Sequence, residues 1–368
     1  MTNHSQRNTG LDVIRCVALF SVVAVHLFLN TGFYQEIVAG PVMQLFIYLR
    51  SALMISIPLF LMLSGYLLCS KKLSKSYYLR IIRILFVYVC TSIFCGIFRI
   101  LVTKDGLTVL DAILGIFSFS TLSYSWYIEM YLGLFLLIPF LNILWHGLEN
   151  QKQKQWLVLT LLVLTAAPSM VNIYRFDSFQ WWLSPADNAE YHQLIPDWWS
   201  SIYPLTCYYI GSYLREYPLK MKHSRYLPLI LLTIFLSGTF NYYRSHGSLF
   251  VWGLWQNWRS ASSMALSILL FSWLEGGNYQ KLGKIPGKVV SLISELSLGA
   301  YLFSQTFDLW LYPILNTLVP NVQARLPYIL VAVPVVLTLS LAFSWVLHIL
   351  YRDILAKAVD RWMEKRSV

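Results

Sequence analysis

The chain has 368 residues, of which 57% are hydrophobic, 16% aromatic and only 12% charged, and its formal net charge is +11. Long unbroken apolar runs in place of amphipathic stripes exclude a soluble globular fold and predict an integral membrane protein of many helices. In such a chain the placement of the basic residues matters more than their excess, and no nucleic-acid partner is expected.

The apolar runs divide into ten candidate spans, about 11–30, 43–69, 81–102, 124–146, 156–172, 200–215, 226–243, 250–275, 291–318 and 326–351. Nineteen Lys and Arg residues fall on one set of alternating loops and four on the other. Basic loops stay in the cytoplasm, so the bias predicts both termini there and an even number of crossings. The N-terminus lacks the features of a cleavable signal, so the first helix is expected to remain in the mature protein. Five cysteines (Cys16, Cys69, Cys90, Cys95 and Cys207) lie in or beside apolar runs without metal-ligand spacing and read as packing residues.

The first span, LDVIRCVALFSVVAVHLFLN, carries Asp12, Arg15 and His26. Ionisable groups in a span are costly unless they face a protein interior or a wet cavity. Arg15 and His26 are eleven residues apart, about three helical turns, so both project from one face about 16 Å apart in depth. The bland alternatives are snorkelling for Arg15, paired with Asp12, and an interhelical hydrogen bond for His26. Five basic residues lie inside the predicted spans (Arg15, Arg50, Arg83, Arg99 and Arg259), and all are arginine, whose donor fork suits carboxylate or phosphate. Direction of travel sorts the polar groups into two layers. Arg15, Ser64, Tyr66, Arg80 and Arg83 lie toward the cytoplasmic side, whereas His26 and Glu129 lie toward the outer side.

Asp12, Arg15, Ala18 and His26, in that order and spacing, resemble the opening helix of the membrane acyltransferase-3 family of bacterial multi-spanning acyltransferases. PLFLMLSGYLL (58–68) resembles its Ser-Gly-Tyr/Phe signature, and YYLRIIRILFVY (77–88) the basic approach to its third span. SWYIEMYLGLFLLIPFLN (125–142) matches its tryptophan-to-glutamate segment through Trp126 and Glu129. LSLGAYLFSQTFD (296–308), with Tyr301, is similar to its late Gly-x-Tyr-Leu helix. One departure is Ser304, where relatives often carry a histidine.

The resemblance implies an all-α polytopic bundle of about ten helices, a single acyltransferase domain over 1–368 with a short cytoplasmic tail at 352–368, and residence in the bacterial cytoplasmic membrane. It implies O-acyl transfer, acetyl from acetyl-coenzyme A, to a hydroxyl of a cell-envelope or extracellular polysaccharide. An activated thioester mainly requires deprotonation and orientation of the accepting hydroxyl. His26 is the natural general base, and Glu129 the carboxylate that would fix its tautomer. Arg15, Arg80 and Arg83, with Ser64 and Tyr66, would hold the donor, supported by Asp12, Trp126 and Tyr301. Asp308 is a further buried carboxylate without an assigned role.

Each assignment has a structural rival. Arg80 and Arg83 fit a positive-inside flank, Ser64-Gly65 fits a close helix contact, and Glu129 fits an ion pair with Arg99 or Arg50. The loop 173–199 sets Trp181, Trp182, Trp198 and Trp199 beside Asp177, Asp187, Glu190 and Asp197. That composition suits either sugar binding or interfacial anchoring. There is no Gly-rich phosphate loop, metal-ligand cluster or internal repeat, so no bound cofactor or metal is expected; the resemblance implies acyl-coenzyme A, a carbohydrate acceptor, lipid and polysaccharide-assembly proteins as partners. Two other classes fit the composition: a transporter or flippase for a lipid-linked glycan, and a noncatalytic partner in polysaccharide assembly.

Overall fold

A computed structural model describes residues 8–187, 190–279 and 283–352. Among these residues the fold is wholly helical. The principal helices are α1 (Thr9–Asn30), α2 (Gly40–Leu53), α3 (Ser56–Leu68), α4 (Ile81–Phe98), α5 (Val109–Phe117) and α6 (Trp126–Gly147). They continue with α7 (Gln151–Thr165), α8 (Tyr203–Glu216), α9 (His223–Ser245), α10 (Ala261–Glu275), α11 (Lys284–Leu318) and α12 (Ile329–Leu350). None of the five cysteines is disulfide-bonded.

Helix α1 is the axis of the bundle, packed by α2, α3, α10, α11 and α12. It is apolar on nearly every face, as a helix surrounded by protein requires. Its start is capped by the Asn8 side chain, which accepts from Gly10 N at 2.9 Å. Around the periphery large apolar side chains such as Phe117, Ile143 and Leu330 stand exposed, a surface suited to lipid.

Six helical stretches among the described residues are long and apolar enough to cross a membrane: Thr9–Asn30, Gly40–Leu68, Lys75–Thr103, Ser123–Gly147, His223–Ser245 and Val322–Leu350. The other four predicted spans fall on α7, α8, α10 and α11. The first three have 15, 14 and 15 residues. At about 1.5 Å per residue they reach only about 21–22 Å, less than the roughly 30 Å of hydrocarbon. Helix α11 is long enough, with 35 residues, but carries Lys288, Glu295 and Asp308.

Two predicted spans also differ internally. The run 43–69 is divided between α2 and α3 at Met54 and Ile55. The first eleven residues of 250–275 are not α-helical, because Gln256 is held by Arg50 and Gly253 is fully extended. All but the first residue of the predicted tail, residues 353–368, lie outside the described residues.

Helices α3 and α8 cross at two glycines. A Cβ on Gly65 would overlap the Tyr208 carbonyl oxygen, and one on Gly211 would overlap that of Met62. The backbones touch only because both side chains are absent. Gly65→Ala is therefore expected to destabilise the fold by about 1–3 kcal/mol, read as a lower unfolding temperature in detergent. Gly133→Ala, in an open position on α6, serves as the control and should be neutral or slightly stabilising.

Candidate active site

Helices α1 and α11 lie side by side and run in the same direction, with polar groups matched along their length. Arg15 Nη1 donates to Ser294 Oγ at 2.7 Å, and Ser294 donates to Asp12 Oδ1 at 2.6 Å. Three turns up, His26 faces Asp308. One turn further, Asn316 Nδ2 donates to the Asn30 carbonyl at 2.8 Å. On α11 the residues concerned are Ser294, Tyr301, Asp308 and Asn316, one helical stripe facing α1.

The lower part of this contact opens into a cavity of about 500 Å³. Arg15, Ser64, Arg80 and Arg83 line it, together with Tyr127, Tyr131, Ser294 and Tyr301. Four of the predicted donor residues, from three separate stretches of sequence, thus share one chamber. Asp12 is buried behind Arg15, where its bond from Ser294 steadies the guanidinium. Arg80 and Arg83 are exposed at the start of α4, with the Arg83 guanidinium 5.8 Å from the Tyr351 ring centre. Three cations and one carboxylate, Glu295, line the opening, an excess of positive charge suited to an anionic group.

Tyr66 does not line this cavity. It lies two residues, about 200° of helix, beyond Ser64, and its hydroxyl donates to Glu275 Oε1 at 3.0 Å. The predicted donor contact is therefore replaced by a structural bond to α10.

Above the cavity, Tyr301 separates it from His26, the two ring centres being 6.3 Å apart. The imidazole is buried and lies against the Tyr124 ring at 3.7 Å. Its Nδ1 is 3.7 Å from Asp308 Oδ2 and has no hydrogen-bond partner among the described residues. Asp308 accepts from the Tyr124 hydroxyl at 2.8 Å, while its Oδ1 is also without a hydrogen bond. Tyr124 is in turn fixed on every side. Its hydroxyl accepts from Asn30 at 3.1 Å, its amide donates to Gln305 at 2.9 Å, and its carbonyl accepts from the Tyr301 hydroxyl.

Glu129 is not the carboxylate beside His26. It is exposed in the first turn of α6, two residues past the inward-facing Tyr127 and hence on the opposite face. Nor does it pair with the suggested arginines. Arg99 is bound to Asp105 at 2.7 Å and holds that carboxyl below its usual range, and Arg50 bonds to Tyr34 and Gln256. The imidazole and carboxylate expected of the outer layer are present, but the carboxylate comes from α11.

Of the remaining residues, Trp126 stacks on Trp258 at 5.0 Å, and buried Ser304 donates to the Tyr301 carbonyl at 2.7 Å. In the loop 173–199, Asp177 and Glu190 are engaged by Arg175 at 3.1 and 2.9 Å. Asp197 accepts from Gln193, and the side chain of Asp187 lies outside the described residues. Trp181 is buried against Arg244, whereas Trp198 and Trp199 are exposed.

Sequence reasoning missed Tyr124 and Ser294 and left Asp308 without a role. The available signal was the intramembrane carboxylate itself, seven residues after Tyr301 and so on the same face.

No match to the chain is found among curated proteins or among solved structures. The family profile described as an acyltransferase domain, Acyl_transf_3, matches residues 8–345, essentially the whole chain. A buried histidine and carboxylate above a basic chamber, set among helices apolar enough to span a bilayer, accord with that match: the chain belongs to the acyltransferase-3 family and is a membrane acyltransferase.

Proposed function

We propose that the protein transfers an acetyl group from acetyl-coenzyme A to a hydroxyl of a cell-envelope or extracellular polysaccharide. On this reading it is a multi-pass protein of the bacterial cytoplasmic membrane with both termini in the cytoplasm and ten crossings, the short helices α7, α8 and α10 being lengthened by the helical turns beside them, Pro168–Val171, Trp198–Ile202 and Leu254–Gln256. The observation that carries the proposal is the common chamber of Arg15, Arg80 and Arg83, whose far wall, Tyr301, adjoins His26. The three guanidinium groups would take the phosphates of the donor, and the thioester would point toward the imidazole.

The geometry supports the following chemistry. His26 removes the proton from the acceptor hydroxyl, and the oxygen attacks the thioester carbon. The C–S bond breaks as the tetrahedral intermediate collapses, and the departing sulfur takes the proton back from the imidazolium. Asp308, 3.7 Å from Nδ1, closes to hydrogen-bond distance as positive charge develops on the ring. Tyr124 orients both partners, through its stacking on His26 and its bond to Asp308.

The test is transfer of isotope label from acetyl-coenzyme A to envelope glycan in membranes with and without the protein. Label appearing in glycan with release of free coenzyme supports the reading, and its absence overturns it. Because Arg80 and Arg83 are exposed, their attraction for the donor is screened. Each single change to alanine is expected to raise the donor KM about threefold to tenfold, with kcat little changed and with the effect shrinking at high salt.

A further inference from the structure

The outer part of the molecule contains several arginines, and most are held by the protein or closed off inside it. Arg50 bonds through all three nitrogens to Tyr34 and Gln256. Arg325 donates to three backbone carbonyls, those of Val319, Thr31 and Pro320. Arg175 holds two carboxylates, and Arg244 is fully buried between the Trp181 and Trp255 rings, where Nη1 donates to the Pro185 carbonyl at 3.2 Å and Nε and Nη2 have no hydrogen-bond partner among the described residues. Arg259 is weakly partnered and only half-buried, so a ligand can reach it, as it cannot reach the buried Arg50, Arg244 and Arg325. Its guanidinium meets one neutral hydroxyl, Ser200 Oγ, at 3.4 Å, and among the described residues it has no carboxylate partner.

Its position is rigid. The Arg259 amide donates to Asn257 Oδ1 at 2.9 Å, Ser260 caps α10, and Gln256 is clamped by Arg50. The neighbouring Trp258, half-buried like Arg259, is stacked on Trp126 at 5.0 Å. From there the rings continue inward: Trp126 to Tyr127 at 6.3 Å, Tyr127 to Tyr301 at 5.9 Å, and Tyr301 to His26 at 6.3 Å. An aromatic track therefore joins a guanidinium lacking an anionic partner to the imidazole. Indole edges and faces suit sugar rings, and a guanidinium fork suits a carboxylate.

We infer that Arg259, beside the stacked Trp126 and Trp258, receives a carboxylate of the acceptor, so that the preferred acceptor is an acidic sugar polymer. This inference rests on the carbohydrate-acceptor reading above and narrows it to a class. A membrane phosphate headgroup is the competing occupant of the same guanidinium.

The experiment measures thermal unfolding of the full-length protein in detergent with oligogalacturonate, maltooligosaccharide or phosphatidylglycerol added. Oligogalacturonate is expected to raise the unfolding temperature by several degrees and the neutral sugar to leave it unchanged. Arg259→Gln should lose that shift, and Arg259→Lys, which keeps the charge without the fork, should retain part of it. Equal stabilisation by the neutral sugar, an unchanged shift in Arg259→Gln, or a response to phosphatidylglycerol alone would each overturn the inference. Label transfer is scored separately. Transfer to glycan without Arg259-dependent binding refutes this inference alone, whereas binding without any transfer refutes the underlying acyl-transfer reading.

Discussion

In membranes carrying His26→Ala at the parental expression level, transfer of label to glycan is expected to fall by about a hundredfold to ten-thousandfold. The acceptor hydroxyl is a poor nucleophile until its proton is taken. Among the described residues, His26 is the histidine directly behind the Tyr301 wall of the basic cavity, buried and with Nδ1 facing a carboxylate. Because His26 does not line the cavity itself, donor affinity should survive the change. A retained donor Kd with lost turnover separates a missing base from a misfolded protein. Undiminished turnover would end the assignment.

The second large effect is expected at Asp308. Asp308→Asn keeps the size of the side chain and an acceptor for the Tyr124 hydroxyl, but removes the charge that would stabilise an imidazolium. A loss of about a hundredfold or more in kcat is expected, with little change in donor KM. Combined with His26→Ala it should add almost nothing, since groups that act as one unit fail together. Glu129→Gln is the counterpart and should leave transfer essentially at the parental rate, because Glu129 faces away from the site. A strong defect at Glu129 with none at Asp308 would reverse the assignment of the carboxylate.

What was legible in the amino-acid sequence, and what was not, follows from one distinction. Distance along a helix is written directly in residue number, so the eleven-residue interval placed Arg15 and His26 on one face at different depths. It also put Arg80, Arg83 and Ser64 at the level of Arg15, where they line one cavity. Azimuth is less forgiving. Glu129 has a suitable depth but lies two residues from Tyr127, and Tyr66 lies two residues from Ser64, so each turns to the far side of its helix. Which carboxylate meets His26 depends on the neighbour chosen by α1, and that is settled by packing between segments almost 300 residues apart. The division of 43–69 into two helices was marked locally only by Pro58, in the first turn of α3, a signal that the length of the apolar run around it obscured.

Tyr127 and Tyr301 stand between the basic chamber and the histidine, a septum about one side chain deep. A bilayer keeps its ion gradients only while water cannot file through it, and each elementary charge driven across 100 mV is worth about 2.3 kcal/mol. On the proposed topology the two reagents arrive from opposite compartments, yet only the uncharged thioester end of the donor has to reach past the phenol rings, its phosphates staying with the arginines of the chamber. The protein can therefore export chemistry without becoming a leak.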